Sequence, residues 1–496
     1  MKGSTYGATA PAAFTTTPTK QDPYHYQVGF GSRFATEALP GVLPSAANTP
    51  QNIKYELFSE GFNGTHFISS RATVKNVWFY RIRPAVASLS PVKLETQNPD
   101  LVSNFTLSNP TVDFRPQQLD WHAFPLPPDD TPVDFIDGIK TIGGNGDPTI
   151  KEGLAVHMFL ANTSMGRRAF ANNDGEMLIL PQSGRIDVQT EHGHIMVRPG
   201  ELLVIQAGVR FKVTLPDGPV RGYIQEIYGA HYELPEMGAI GSNGMALPRD
   251  FEVPVASFDI DESEWEIIYK NAGTLYSCTQ DHTPFDVVAW HGNYAPYKYA
   301  LEKFIQVANV DREQVDPTCY CVLTAKSKIP GVSLADFLVF LPKWHVSSDT
   351  FRPPYYHRNM PAELLGIIKG VYPGSAHDFN AGGLSYTGPY MPHGETYDKW
   401  KWATTRELVS ERVGEGSISF MMHMSIGLGL TPYALKKCGT MRENVDESWV
   451  GVKGHFFDHI DEINEDLKKA GRPPLGTGRA TEAVDGVNGN GVANGH

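Results

Sequence analysis

The densest meeting of imidazole and carboxylate in this chain is Arg352-Pro-Pro-Tyr-Tyr-His357-Arg-Asn-Met-Pro-Ala-Glu363, with Met391-Pro-His393-Gly downstream. His357 and Glu363 flank a short proline-containing loop, so both side chains can face one centre. His393, in a Pro-His-Gly turn, can join them from a neighbouring strand. Two imidazoles and one carboxylate on one face of an ion form the set that holds non-haem iron(II) and leaves positions open for substrate and oxygen. Spacing alone leaves a second reading open, in which these are turn histidines satisfied by hydrogen bonds.

The other histidines carry less. There are 17 of them along the chain, so a lone one is weak evidence. His291, in Ala289-Trp-His-Gly-Asn-Tyr294, is either a core histidine bonded to backbone or a general base with a pKa near neutrality. His192 and His194 share a face if Glu191-His-Gly-His194 is a strand. The loop after Ile205 reads Gln206-Ala-Gly-Val-Arg210 and has no histidine to complete a ligand set. The N-terminal segment is therefore expected to be metal-free.

Such groups must be held by strands. Val77-Trp-Phe-Tyr-Arg-Ile-Arg83, Ala155-Val-His-Met-Phe-Leu160 and Met177-Leu-Ile-Leu180 are β-branched and aromatic enough to read as strands. Arg185 to Thr190, Gly193 to Val197, Glu201 to Ile205, Val209 to Thr214 and Val220 to Ile224 follow at close spacing with turns between them. That rhythm predicts antiparallel sandwiches or barrels. The Pro199-Gly-Glu201 turn resembles a cupin jelly roll. A second set begins near Val287 and includes Cys321-Val-Leu323, Phe337 to Leu341 and Gly366 to Lys369. His231 to Asp261 reads as a loop-rich stretch between the two sets. The best helical candidate, Glu443 to Lys469, is interrupted at Gly451 and Gly454. The expected fold is mainly β, with cupin-type jelly-roll β-sandwich domains in a bicupin-like arrangement and few helices. The expected division is a disordered arm over 1–21, an N-terminal β-sandwich over 22–280, a catalytic cupin-like domain over 281–470 and a disordered tail over 471–496.

Whole-chain properties narrow the function. At 496 residues the chain can bury more than one core. The 48 glycines and 37 prolines favour a turn-rich fold over a bundle. A net charge of −13 argues against nucleic acid and anionic membrane as partners. The 4 cysteines, Cys278, Cys319, Cys321 and Cys438, form no C-x-x-C pair and read as reduced packing thiols. No stretch is apolar enough to span a bilayer, and the first residues lack a signal core. The sequons at Asn63, Asn104 and Asn162 therefore mean little. A cytoplasmic enzyme is expected.

Arg352-Pro-Pro-Tyr-Tyr-His-Arg-Asn359 resembles the iron-binding segment of the homogentisate 1,2-dioxygenase family. Asp281-His-Thr-Pro-Phe-Asp-Val-Val-Ala-Trp-His-Gly-Asn-Tyr294, Leu215 to Tyr223, Leu234 to Gly244 and Gly144-Asn-Gly-Asp-Pro148 also resemble it, in the family's order. So do Asp22-Pro-Tyr and Trp78-Phe-Tyr-Arg-Ile-Arg-Pro84. The resemblance implies cupin-type domains and a trimer-based homohexamer. It also implies an Fe(2+)-dependent opening of homogentisate by O2 to maleylacetoacetate, in tyrosine and phenylalanine breakdown. It makes His357, Glu363 and His393 the iron ligands and His291 the general base. Tyr372 becomes a substrate contact, and His393 lies beside the substrate as well as the iron.

Three departures accompany the resemblance. Thr387 stands where the family has a histidine. Ala362-Glu-Leu-Leu-Gly366 replaces Ser-Glu-Phe-Met-Gly. His423, in Met421-Met-His-Met424, replaces a glutamate. These leave the ligands intact and bear on the substrate. The alternatives are a paralogous dioxygenase for another substituted hydroquinone or gentisate-like acid, and a non-catalytic cupin that binds or assembles.

Overall fold

The computed structural model describes residues 4–7, 16–44, 51–236, 245–307, 309–310, 313–314, 317–345, 355–371, 380–407, 409–442, 449 and 451–476. The chain is mainly β, as expected, with two α-helices among the described residues, Tyr397–Thr405 and Ile460–Lys469. Its centre is a ten-stranded sheet that runs, in spatial order, through Tyr297–Ala300, Glu201–Ile205, Glu176–Ser183, Val220–Ile227, Glu152–Ala161 and Ile139–Asp147. A seven-stranded sheet lies against one face and a six-stranded sheet against the other.

Residue alternation shows how the central sheet serves both. Met177 and Ile179 enter the core shared with the seven-stranded sheet, beside Val188, Phe211 and Ile268. Leu178 and Leu180 enter the opposite core, beside Phe337, Leu364 and Phe420. Leu203 and Ile205 divide from Leu202 and Val204 in the same way. A strand buried on both faces reads as an unbroken apolar run rather than an alternating one. This accounts for Met177-Leu-Ile-Leu180 and for Ala155 to Leu160.

The six-stranded sheet has the order Cys321–Lys326, Ser333–Phe340, Ile418–Met424, Ala362–Lys369, Leu384–Thr387, Leu119–Trp121. Ala362, Leu364 and Ile368 face the core, as do Met422, Met424 and Tyr386. Glu363, His423 and Thr387 alternate with them and so lie on the other face. Buried Trp121 fixes the sheet's end by donating Nε1–H to the Ala434 carbonyl at 2.8 Å.

His291 belongs to a separate four-stranded sheet, ordered Phe34–Glu37, Val287–Gly292, Asn76–Arg81, Phe58–Asn63. Arg81 anchors that sheet. Its buried guanidinium donates to Asp286 Oδ1 at 2.9 Å, Glu60 Oε1 at 2.9 Å, Glu191 Oε1 at 3.0 Å and the Pro284 carbonyl at 2.9 Å. Removing one partner of such a cluster would leave buried charge uncompensated.

Several expectations need correction. The loop-rich stretch His231 to Asp261 also contains two short strands, Phe251–Pro254 and Ser257–Ile260. Both are short and carry residues depleted from strands, Pro254 and Asp259. The hairpin Trp265–Asn271 and Thr274–Gln280 was not foreseen; Ala272 and Gly273, with φ of 48° and 73°, close it. Ser4–Gly7, expected in a disordered arm, pairs with Ser257–Ile260. Of the candidate helix from Glu443, Ile460–Lys469 is α-helical; residues 443–448 lie outside the described set. The four cysteines are buried and form no disulfide. No helix among the described residues is long and apolar enough to cross a membrane.

Candidate metal centre

Glu363 is the second residue of its strand, and the two histidines approach it from loops. The backbone brings the histidines together. His357 N–H donates to the His393 carbonyl at 3.0 Å, and His393 N–H returns the bond to the His357 carbonyl at 3.1 Å. The imidazole centroids are 4.1 Å apart. Gly394 permits this approach, because a Cβ there would lie 2.5 Å from Tyr356 Cδ1. The Pro-His-Gly turn thus has a packing reason for its glycine.

The tautomers follow from the partners. His357 Nδ1 lies 2.7 Å from the Tyr355 carbonyl, and His393 Nδ1 lies 3.0 Å from the Met391 carbonyl. A carbonyl only accepts, so each Nδ1 carries a hydrogen and each Nε2 is free to offer a lone pair. Both Nε2 atoms turn toward buried Glu363, at 4.0 Å from its Oε1 for His357 and 3.2 Å from its Oε2 for His393. The three donor atoms lie within 4.8 Å of one another. Three lone-pair donors facing one point call for a cation or a shared proton. The residues therefore fit a divalent metal.

The charges agree with that arrangement. Burial raises the Glu363 pKa, but His393, His423 and Asn359 outweigh it and hold the carboxyl below its usual range. Burial lowers the His393 pKa, and its bond to Glu363 raises it by more. A metal bound here would displace the proton shared by this pair. Asn359 Nδ2 donates to Glu363 Oε1 at 2.5 Å. In the sheet, Glu363 stands directly opposite His423 on one side and Thr387 on the other. Thr387 and His423, two of the three departures in the sequence, therefore flank the carboxylate.

The other predicted residues lie elsewhere. His291 Nε2 is 3.1 Å from the Tyr80 hydroxyl, and no hydrogen bond or ion pair among the described residues joins it to His357, Glu363 or His393. Burial, then the Arg33 charge, holds its pKa below the ordinary imidazole value. Gly292 follows it because a Cβ there would meet the Asn76 carbonyl oxygen at 2.3 Å. Tyr372 falls outside the described residues. His192 is fully buried, with Nε2 2.9 Å from the Tyr294 carbonyl, and burial brings its pKa down to about 3. His194 stacks on Tyr24 at 4.9 Å. Tyr80 and Asp336 were not anticipated. For Asp336, alternation along Ser333–Phe340 carried the signal, since Ala335 and Phe337 face the core.

The family model described as homogentisate 1,2-dioxygenase N-terminal matches residues 25–301, and that described as homogentisate 1,2-dioxygenase C-terminal matches 302–456. The homogentisate 1,2-dioxygenase of Emericella nidulans is 44% identical over 443 residues, covering 88% of this chain and 97% of that protein. The protein of the same name from Homo sapiens is 41% identical over 436 residues, covering 87% of this chain and 96% of that protein. A solved bacterial pirin from Escherichia coli in complex with nickel(II) is 10% identical, covers 62% of this chain and 100% of its own, and has a TM-score of 0.26.

Proposed function

Because the chain belongs to the homogentisate 1,2-dioxygenase family, an oxygenase family that incorporates both atoms of O2, we propose that it opens the ring of homogentisate. In this reading His357, Glu363 and His393 hold iron(II), and the product is maleylacetoacetate, in tyrosine and phenylalanine breakdown. The single observation that carries the reading is the convergence of three donor atoms within 4.8 Å, two of them histidine nitrogens oriented by backbone carbonyls. Bound iron(II) would supply a Lewis acid for a ring hydroxyl and the redox-active ion that dioxygen requires.

The protein's own groups do the rest. The paired backbones of His357 and His393 hold both Nε2 atoms toward Glu363. His291, kept neutral by its surroundings, takes a proton from the hydroquinone. His393 and Tyr372 contact the substrate. The ring bond that breaks joins the hydroxyl-bearing carbon to its substituted neighbour, and both oxygen atoms enter the product without an external reductant. The first sandwich is structural, the C-terminal domain carries the chemistry, and the chain assembles as a trimer-based homohexamer in the cytoplasm.

A second reading, a paralogue for a differently substituted or bulkier hydroquinone, is favoured by one observation. Thr387 and His423 stand opposite Glu363 on its two neighbouring strands, on the same face. A site whose polar groups are left unpaired by a substrate rejects it far more strongly than a missing methylene would explain. Steady-state kcat/KM for homogentisate, gentisate and larger hydroquinones separates the two readings, measured in the parent and in Thr387→His combined with His423→Glu. Homogentisate is expected to rank first in the parent, with the ranking kept in the double variant. A bulkier hydroquinone ranking first, with homogentisate overtaking it in the double variant, would establish the paralogue instead.

A further inference from the structure

Four polar residues cross the six-stranded sheet in one row. Asp336 is opposite His423, His423 is opposite Glu363, and Glu363 is opposite Thr387. Cross-strand partners present their side chains to the same face. The row lies on the face turned away from the packed core, since Phe337, Met422, Leu364 and Tyr386 face inward.

The imidazole of His423 spans two carboxylates. Nδ1 is 3.7 Å from Asp336 Oδ2, and Nε2 is 3.9 Å from Glu363 Oε1. Asp336 is itself fixed, because its Oδ1 accepts hydrogen bonds from the Thr324 and Ser333 hydroxyls, both at 2.6 Å. Glu363 Oε1 also accepts from Asn359, at 2.5 Å. Asn359 and His423 therefore address one oxygen of Glu363, while the other, Oε2, faces His393. Both carboxylates can only accept, and the imidazole, with its one N–H, lies between them at contacts longer than a hydrogen bond. His423 does not belong to the converging donor set, which comprises His357, Glu363 and His393.

We propose that His423, backed by Asp336, is a positioning residue that fixes the Glu363 carboxylate for metal binding. The proposal rests on the metal reading above. Groups that orient a ligand from behind typically account for about 10–100-fold in metal affinity. The row gives Glu363 a hydroxyl–carboxylate–imidazole support on one side.

The test is anaerobic cobalt(II) titration of the full chain by its visible absorption, with unfolding midpoints recorded for each variant. His423→Leu is expected to weaken cobalt(II) binding by about 10–100-fold and to alter the absorption envelope. His423→Gln, which keeps a donor, should recover part of the affinity. Asp336→Asn should act in the same direction, and adding it to His423→Leu should cost little more, as expected of groups acting through one another. Affinity within about twofold of the parent in His423→Leu, at an unchanged unfolding midpoint, would overturn the proposal. If His357→Ala binds cobalt(II) as tightly as the parent, the metal reading itself fails, and this proposal fails with it.

Discussion

Replacing His357 or His393 by alanine is expected to remove bound iron and oxygen uptake together. Each supplies one of three donor atoms within 4.8 Å, and no other group of three or more histidine, cysteine or acidic side chains among the described residues converges in this way. The loss should exceed the about 100-fold that removal of an outer partner costs at most, because a direct ligand is deleted. The variants should still fold. The bridge between residues 357 and 393 is made by backbone N–H and C=O groups, which alanine retains. Metal analysis after anaerobic iron loading, followed by oxygen-electrode assays, checks both losses in one preparation. Parent-level iron in either variant would remove that residue from the ligand set.

His291→Ala is expected to separate the two losses. Iron should remain at the parent level, since His291 lies in the four-stranded sheet with Tyr80 as its partner. Turnover should fall by about 10²–10⁴-fold, the usual contribution of a general base. The pH profile supplies a second readout. A base must be neutral to take a proton, and burial with Arg33 holds the His291 pKa down. The acid limb of kcat/KM in the parent should therefore have its midpoint below the ordinary imidazole value of about 6.5, and His291→Ala should lose that limb. Tyr80→Phe should keep most activity, because it removes a neighbour of the base and not the base. Near-normal turnover of iron-loaded His291→Ala would make His291 a structural residue held by Tyr80.

Much of this architecture was legible in the sequence, because strands buried on one or both faces leave an apolar signature. The strands from Glu152 to Ile227 are the clearest case. What escaped had physical reasons. Phe251–Pro254 and Ser257–Ile260 are short and carry Pro254 and Asp259, residues depleted from strands. The turn at Ala272-Gly273 hides its signal, since alanine seldom adopts a φ of 48°. The site was legible in part. The motif around His357 and Glu363 and the turn at His393 marked the donor set. The row through Asp336, His423 and Thr387 could not be read, because it depends on strand order. Thr387 and His423 are distant in sequence and become neighbours of Glu363 because the Ala362–Lys369 strand lies between theirs.

Iron-dependent ring opening is tested most directly by oxygen consumption of metal-free protein reloaded anaerobically with iron(II) or zinc(II), then mixed with homogentisate in air-saturated buffer. Zinc fits the same kinds of ligand but is redox-inert. Uptake is expected with iron alone, with one O2 consumed for each ring opened and both atoms of labelled O2 recovered in the product. Equal uptake by the zinc-loaded or metal-free protein, or none by the iron-loaded protein, would contradict iron-dependent ring opening.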